Sequence, residues 1–380
     1  MLVLEALRAK FGDSLLLHYG DANDPKLIVI DGGPPGVWND TLRPRLEALR
    51  AERGLAPEQP LEIELVMVSH IDADHITGLI EMMRKQKDLR DGKKPLPYRV
   101  KRFWHNSFDD IIGPASGASL GGSASLTASA GEVLAASNSA EGASVGQGRD
   151  LRKLIDAFSL DGNKPFGGMA TLDAKNNPAT LAGMKLTVVG PAQDKLDALQ
   201  KEWDKELKAI LAKEKAKTDA AAFIDNSVPN LASIIVFVEF DGKRILLTGD
   251  GRGDHTLEGL EKRGFMTPGG KIDVDILKVP HHGSVRDVAA EYFERIRTPR
   301  YVISADGKFD NPDLATLKLI SAARPDDAFT IYMTNPTDEF VKPEVGSAIA
   351  AFFDAEKKKG RKYKVVQRKA DETSVRIDLS

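Results

Sequence analysis

The chain has 380 residues, contains no cysteine, and carries a formal net charge of −3 from 53 basic and 56 acidic residues. The lack of cysteine excludes disulfides, zinc–thiolate sites, iron–sulfur clusters and thiol catalysis, and the charge balance excludes a predominantly basic nucleic-acid-binding surface, so any such surface is local. The N-terminus lacks the features of a signal peptide, and no stretch approaches the roughly 18 apolar residues of a membrane-spanning helix. We expect a cytoplasmic protein with no membrane segment.

The first predicted strands lead to a glycine-rich turn. Short apolar runs predict strands over residues 2–8, 14–19 and 27–30. The third run ends at Asp31, followed by Gly-Gly-Pro-Pro-Gly, a tight loop in which a carboxylate can orient a neighbouring ligand through hydrogen bonds. Asp-Gly-Gly also occurs in plain turns, and that alternative stays open. A helix is predicted over residues 40–53.

The next strand leads to the densest group of titratable residues. We predict a strand over 63–69 and a helix over 76–90, with apolar residues on one helix face. Imidazole and carboxylate groups bind divalent metals without sulfur, and a helix N-terminus favours a nearby negative charge. We therefore favour a metal site over a set of capping and solvated loop residues. The candidate ligands lie within six residues and are His70, Asp72, Asp74 and His75.

The middle of the chain contains one further candidate residue and two inserts. A predicted strand over 98–104 ends at His105, which could reach an active site or serve a structural role. Residues 113–148 are mostly Gly, Ala and Ser and are predicted as a flexible insert. A helix is predicted over 149–158, and a helical insert over 194–222 has an apolar stripe suited to core packing or to a homodimer contact.

The second half repeats the pattern of polar residues at strand ends. A predicted hairpin over 233–240 and 244–247 leads to Asp250, and a strand over 276–279 leads to His281-His282-Gly-Ser284. Two adjacent histidines in a glycine-ended loop are unusual and favour a site over a purely structural use. The other predicted strands are 184–189, 301–304 and 330–333. Residues 363–368 and 374–378 are predicted as a terminal pair of strands that covers the sheet edge.

These ordered motifs resemble those of the metallo-β-lactamase fold superfamily, and in particular the soluble hydrolase domain of ComEC-type competence proteins. The motifs are Ser-His-Ile-Asp-Ala-Asp-His, Leu-Leu-Thr-Gly-Asp and Leu-Lys-Val-Pro-His-His-Gly-Ser, with Gly-Asp-Ser-Leu and Ile-Asp-Gly-Gly near the N-terminus. The resemblance covers about residues 1–335 and implies an α/β fold, a four-layer αββα sandwich with its site at one edge. Residues 336–380 would be a C-terminal extension packed on the same domain.

The resemblance also implies two divalent metal ions. One ion would be bound by Asp74, His75, a bridging Asp250 and His282, and the other by His70, Asp72 and Asp250. Asp72 stands where most members have histidine, and no histidine lies between His105 and Asp250, where Asn230 occupies the matching place. Because oxygen ligands suit harder cations, Mn²⁺ is as well favoured as Zn²⁺.

The implied activity is hydrolysis of a phosphodiester through a metal-bridged hydroxide, acting on single-stranded nucleic acid or nucleotides. Asp74 would orient the nucleophile and His281 would protonate the leaving group. Asp31 and His105 would support the ligands, and Asn230 and Ser284 would contact substrate. The alternative is a metal-dependent ester, lactone or amide hydrolase acting on a small molecule, and a binding protein without catalysis is a third reading. Phosphodiester and carboxylic ester assays would separate the first two.

Overall fold

The computed structural model describes residues 1–106, 140–160, 162–198 and 232–380. Most of the predicted insert over 113–148, most of the predicted helix over 194–222, and Asn230 lie outside the described residues. Within that helix, residues 193–198 are described and are helical.

Two large mixed sheets form the framework of the described residues. The strands of the first sheet are β1 (Leu2–Leu7), β2 (Leu15–Asp21), β3 (Asp24–Ile30), β5 (Leu65–Met67), β7 (Phe103–Trp104) and β18 (Ser374–Asp378). Their order in this six-stranded sheet is β18-β1-β2-β3-β5-β7. The first four are antiparallel neighbours, and β5 and β7 are added in parallel to β3. A small parallel sheet beside it pairs β4 (Leu61–Ile63) with β6 (Tyr98–Val100).

The second large sheet contains eight strands among the described residues. These eight strands are β8 (Ala179–Leu181), β9 (Met184–Gly190), β10 (Ile235–Phe240), β11 (Lys243–Leu247), β13 (Ile276–Lys278), β15 (Arg300–Ile303), β16 (Thr330–Met333) and β17 (Lys364–Gln367). Five of them are parallel neighbours, in the order β17-β16-β15-β13-β11. An antiparallel meander continues from β11 through β10 and β9 to β8. A short parallel pair joins β12 (Ile272–Asp273) and β14 (Ile296–Arg297).

Helices cover the outer face of each sheet. A π-helical turn (Trp38–Leu42), α1 (Arg43–Glu52), α2 (Ala73–Asp91) and α3 (Ala140–Ala157) accompany the six-stranded sheet. The eight-stranded sheet is covered by α4 (Gly253–Lys262), α5 (Ala290–Arg295), α6 (Leu314–Ala323) and α7 (Pro343–Lys358). The sequence analysis predicted none of these last four helices.

Three apolar cores define the layers. The central core joins inward-facing residues of both sheets, such as Leu17 from β2 and Val236 from β10. Alternate residues of the same strands, such as Leu16, belong to an outer core with Ile76 and Leu79 of α2. This alternation is what a strand covered on both faces requires. The predicted four-layer αββα sandwich is confirmed by this packing.

Two predicted strands are divided in the structure. The predicted strand over 63–69 separates at Glu64 into β4 and β5, and the predicted strand over 98–104 separates into β6 and β7. In each case the first part joins the small sheet and the second joins the six-stranded sheet. A continuous apolar run could not reveal this change of partner.

The predicted terminal pair over 363–368 and 374–378 is wrong. The two segments form β17 and β18, which do not pair with each other: β17 adds to β16, and β18 adds to β1. The last part of the chain thus completes the edge of both large sheets. None of the helices that the structure describes is long and apolar enough to cross a membrane.

Candidate metal centre

The candidate residues collect where parallel strands end. Asp31 follows β3 and Ser69-His70 follows β5 in the six-stranded sheet, whereas Asp250 follows β11 and His281-His282 follows β13 in the other. The carboxyl ends of parallel strands meet at one edge of a sheet, which is the usual place for a site in α/β folds. The two sheets therefore bring residues far apart in sequence to one edge of the sandwich.

Helix α2 begins at Ala73, three residues before the predicted start at residue 76. Asp74 and His75 consequently lie in its first helical turn and not in a loop. The helix is seated against the loop after β3, because a Cβ added to Gly78 would lie 2.0 Å from the carbonyl oxygen of Gly32. This close backbone contact fixes the direction in which the first turn presents its side chains.

Four predicted ligands of one metal form a compact group. Ligand atoms of Asp74, His75, Asp250 and His282 all lie within 4.8 Å of one another. His282 Nε2 is 3.2 Å from Asp74 Oδ2 and 3.4 Å from Asp250 Oδ2. His75 Nε2 is 3.3 Å from Asp250 Oδ1. These separations leave the two imidazoles and two carboxylates facing one small space.

Asp250 is the common neighbour of the group. Its Oδ1 faces His75, while its Oδ2 lies 3.8 Å from His70 Nε2, 3.6 Å from His281 Nε2 and 3.4 Å from His282 Nε2. Both oxygens of this carboxylate therefore face candidate ligands, and Oδ2 lies between His282 of the first group and His70 of the second.

The predicted ligands of the second metal also lie close together. His70 Nε2 is 3.5 Å from Asp72 Oδ2, and both residues form a group with Asp74 whose ligand atoms lie within 4.8 Å of one another. The sequence-derived set named Asp250 as the third member. In the structure, Asp74 completes this group and Asp250 stands at its border, 3.8 Å from His70.

A buried hydrogen-bond network holds His75. Asp31 Oδ2 accepts from His75 Nδ1 at 2.9 Å, and its two oxygens also accept from the Ser69 backbone N–H and hydroxyl, each at 2.7 Å. With Nδ1 protonated for this bond, Nε2 carries the lone pair that faces the centre. Asp31 therefore lies where the sequence analysis expected a residue that orients a ligand.

Three buried residues hold the Nδ1 side of the His282 ring, which faces away from the centre. Its Nδ1 donates to the carbonyl oxygen of Ser304 at 3.0 Å and lies 3.5 Å from Asp13 Oδ1. Asp13 is in turn ion-paired with Lys278, whose side chain is fully buried. Burial opposes ionisation of Asp13, but Lys278 and His282 outweigh it and lower the pKa of this carboxyl group.

His281 is oriented differently from His282. Its Nδ1 is hydrogen-bonded to Asp287, and its Nε2 faces Asp250. Ser284, predicted to contact substrate, accepts from the Arg286 backbone N–H at 3.4 Å and caps the turn that carries Asp287. The backbone of His281 and His282 has φ angles of 46° and 54°, strained values for residues with side chains.

His105 lies at the end of β7, apart from the described ligand groups. Its backbone N–H donates to Asn163 Oδ1 at 2.8 Å, its carbonyl accepts from Asn163 Nδ2, and its ring packs on Phe103. Among the described residues that could hold a metal, His105 belongs to none of the three groups. Both roles that the sequence analysis left open for His105, structural and at the active site, stay predictions.

The charges of the centre are mutually dependent. Burial opposes charging of His75 and His282, but the carboxylate of Asp250, with Asp74 beside His75 and Asp13 beside His282, raises the pKa of both imidazoles well above the ordinary value. Burial likewise opposes ionisation of Asp250, and the surrounding histidines lower its pKa well below the ordinary value. The positions of these protons are those that a bound cation would take.

Divalent cations fit this set of residues. The Nε2 atoms of His70, His75 and His282 and Oδ1 of Asp250 are buried and make no hydrogen bond, although such atoms normally find a partner. They converge with two further carboxylates, and nitrogen–oxygen donors of this kind bind Zn²⁺ and Mn²⁺. A cation would satisfy several of these atoms at once.

Four supporting residues were not assigned a role from the sequence: Asp13, Lys278, Asp287 and Ser304. Asp13 and Lys278 stood inside quoted motifs, and a lysine in a buried strand is itself an unusual signal. Asp287 and Ser304 carried no local signal, because their partners are determined by the fold.

No family model matches the sequence, and no curated protein matches it. Similar solved structures include Zn²⁺-bound PqqB from Methylobacterium extorquens, with 12% identity over 99% of this chain and 100% of that chain and a TM-score of 0.42. The metallo-β-lactamase fold protein YhfI from Bacillus subtilis has 10% identity over 99% and 98% of the two chains and a TM-score of 0.38.

CmlA, a diiron β-hydroxylase from Streptomyces venezuelae, has 10% identity over 99% of this chain and a TM-score of 0.37. This chain spans 54% of the length of CmlA. These likenesses concern the fold alone. What the fold and site together define is an αββα sandwich with a candidate centre for divalent cations at one edge of the strands.

Proposed function

We propose that the chain is a metal-dependent hydrolase with two adjoining cation sites. The observation that carries this proposal is the convergence of three unpartnered imidazole nitrogens with the carboxylate of Asp250. One site would use Asp74, His75, Asp250 and His282, and the other His70 and Asp72 with a shared carboxylate. The mixed oxygen and nitrogen donors suit Mn²⁺ as well as Zn²⁺.

We further propose that the substrate is a phosphodiester in single-stranded nucleic acid or a nucleotide. This step rests on the sequence resemblance to ComEC-type hydrolase domains, since a fold alone does not specify a substrate. Bound cations would polarise a phosphoryl oxygen and lower the pKa of a water molecule between them. The remaining catalytic work falls to the side chains of this chain.

Within this mechanism, Asp74 orients the attacking water and His281 serves as the general acid. The Nδ1 atom of His281 is held by Asp287, and its Nε2 faces Asp250, beside which the reacting group would lie. A proton on Nε2 can pass to the leaving alkoxide oxygen. His281 has 27% of its side chain exposed, more than the other histidines of the centre, as contact with a substrate requires.

The test is turnover by metal-stripped protein titrated with Mn²⁺ or Zn²⁺, on an aryl phosphodiester and on single-stranded DNA. We expect metal-dependent cleavage that Asp74→Ala abolishes. Asp88→Ala is the matched control, because Asp88 is an exposed residue of the same helix. Cleavage of a carboxylic ester and of neither phosphodiester would instead assign the ester, lactone or amide class. Failure to bind any metal would contradict the proposed centre altogether.

A further inference from the structure

An aromatic pair joins the loop after β15, which carries Phe309, to the loop between β1 and β2, which carries Phe11. The rings of Phe11 and Phe309 meet edge to face, with centroids 5.2 Å apart and planes at 88°. The ammonium group of Lys308 lies 3.8 Å from the Phe11 ring centroid and 4.9 Å from that of Phe309. Phe309 is 60% exposed and is the only aromatic residue among the exposed large hydrophobic side chains that the structure describes.

The segment that carries Phe11 touches the candidate metal centre. Phe11 precedes Gly12, and a Cβ added to Gly12 would lie 1.9 Å from the carbonyl oxygen of Asp74. The Gly12 carbonyl also accepts from the hydroxyl of Ser304 at 2.6 Å. The carbonyl of the same serine accepts from His282 Nδ1. Phe11 is thus one residue from a backbone contact with a candidate ligand.

The loop that carries Phe309 is fixed on both sides of its tip. At its start, Ser304 contacts both Gly12 and His282. At its end, the Asp313 backbone N–H donates at 3.0 Å to the carbonyl of Gly283, the residue that follows the two histidines. A turn closed by the Gly307 N–H and the Asn311 carbonyl, 3.0 Å apart, projects Phe309 outward. Both ends of the loop are therefore fastened to segments that carry candidate ligands, and Phe309 stands at its exposed tip against Phe11.

The charge near the pair complements an anionic ligand. Lys308 forms no salt bridge among the described residues, whereas Asp310 on the same loop is paired with Lys342 at 2.7 Å. Asp306 accepts from the Lys308 backbone N–H at 3.0 Å and does not pair with its ammonium group. One aromatic face and one available cation next to a hydrolytic centre are the elements with which proteins hold single-stranded nucleic acid.

We propose that Phe309, supported by Phe11 and Lys308, is a substrate subsite that stacks a planar aromatic ring, namely a nucleobase attached to the phosphodiester. The identity of this ligand rests on the proposed phosphodiesterase function. The stacking surface itself is argued from exposure, ring geometry and position. A loop stabilised only by its internal cation–π contact would not require Phe309 to be exposed beside the centre.

The test measures binding separately from cleavage. The full chain loaded with Zn²⁺ is titrated with a dinucleotide that carries fluorescent 2-aminopurine and a methylene group in place of the ester oxygen that would leave. The same analogue without the 2-aminopurine base serves as the second ligand. Phe309→Ala is compared with Phe309→Trp, which keeps a stacking ring, and with Val366→Ala, a substitution of an exposed apolar residue on β17.

We expect the wild type to quench 2-aminopurine fluorescence and to bind the base-bearing ligand more tightly than the abasic one. In Phe309→Ala this preference falls by about 5- to 150-fold, the range of base–aromatic stacking, and the quenching is lost. Phe309→Trp and Val366→Ala keep both. With a cleavable dinucleotide, Phe309→Ala raises KM more than it lowers kcat.

An unchanged preference for the base in Phe309→Ala, or no preference in the wild type, overturns the subsite. If cleavage of phosphodiesters persists in that case, the proposed function stands without it. If the preference for the base depends on Phe309 but no phosphodiester is cleaved, the subsite stands and the proposed function fails.

Discussion

At the scale of single residues, Asp250 shows why the centre depends on charge. A carboxylate buried to 3% exposure is costly unless its charge is compensated. Here the compensation comes from histidines contributed by both sheets, so the pKa of Asp250 is lowered while those of His75 and His282 are raised. A cation replaces protons in this arrangement without requiring the side chains to move far.

Asp31 is expected to set the metal affinity through His75. Asp31→Asn removes the charge and, with its amide oxygen kept at the Ser69 N–H, puts an NH2 donor in place of the oxygen that accepts from His75 Nδ1. We expect the dissociation constant for Zn²⁺ or Mn²⁺ to rise by about 10- to 100-fold, as for other residues that support a metal ligand. Calorimetric titration measures it, and Asp21→Asn at the exposed end of β2 is the control. Equal affinities for the two variants would contradict the role of Asp31.

Asp287 is expected to control the protonation of His281 during turnover. Burial alone would lower the pKa of His281. The nearby carboxylates of Asp250 and Asp287 have the larger effect, and the pKa is raised above its ordinary value. A general acid acts while protonated, so loss of Asp287 should move the alkaline limb of the kcat profile to lower pH. We expect Asp287→Asn to reduce kcat by about 10- to 100-fold at neutral pH. The pH–rate profile is the measurement.

Metal affinity is the internal control for that variant, because Asp287 belongs to none of the three candidate ligand groups among the described residues. A loss of metal together with activity would assign Asp287 to the structure of the centre and not to the proton on His281.

At the scale of elements, the first turn of α2 is positioned by contact between backbones. Alanine normally stabilises a helix relative to glycine by about 1 kcal/mol, but a Cβ at Gly78 would meet the Gly32 carbonyl oxygen. We expect Gly78→Ala to lower the free energy of unfolding by about 3 kcal/mol. Metal binding should weaken with it. Urea unfolding and metal titration are the measurements.

Gly148→Ala in α3 is the matched helical control. A Cβ at Gly148 would lie 3.5 Å from a side-chain carbon of Ile71, an ordinary contact. The variant should keep or slightly gain stability. A similar loss in both variants would show that the Gly32–Gly78 approach does not set the position of α2.

Glu5 ties the strands at one side of the six-stranded sheet. Its carboxylate accepts from Arg45 and Ser374 at 2.7 Å each and is bonded to His18 at 2.9 Å. Burial alone would raise the pKa of Glu5. The interactions with His18 and Arg45 have the larger effect, and the pKa is lowered from 4.5 to about 2. The folded pKa lies below the unfolded one, so the stabilisation is present above pH 4.5 and is lost as the pH falls toward 2.

Glu5→Gln should therefore reduce the free energy of unfolding by about 3 kcal/mol at pH 7. The difference between variant and wild type should shrink as the pH falls through this window. Urea unfolding at pH 7 and at lower pH measures both values. Glu62→Gln, with 39% of its side chain exposed, is the control. A difference that does not change with pH would exclude the ionised carboxylate as its cause.

The same two scales explain which parts were predictable. The residues of the centre follow patterns that are local in sequence, such as apolar runs that end near His70 or Asp250, whereas the sandwich was implied by the resemblance of these motifs to a known superfamily. The predicted start of α2 lies too far along the chain, because Asp74 and His75 in its first turn do not form the apolar pattern that indicates a helix. Pairs such as Asp13 with Lys278 depend on the meeting of two sheets, and the split at Glu64 depends on a change of strand partner. Neither leaves a local trace.

At the scale of the whole molecule, cation binding should be coupled to pH and to stability. His75 and His282 must release protons when a cation binds, and their pKa values in the metal-free protein are raised. Affinity should therefore increase with pH, by up to about tenfold per pH unit for each proton released. The rise in Tm on adding Zn²⁺ should be larger at pH 8 than at pH 6. An equal rise at both would contradict proton release.

The contribution of both sheets to the centre has a consequence for the unfolded chain. His70, Asp72, Asp74 and His75 stay near one another in any conformation, but Asp250 and His282 come from the other sheet, His282 about 200 residues further along. Recruiting them in an unfolded chain would mean closing a loop of that length, at a cost of about 5 kcal/mol in chain-entropy terms. A bound cation would thus act as a reversible cross-link in a protein that contains no cysteine.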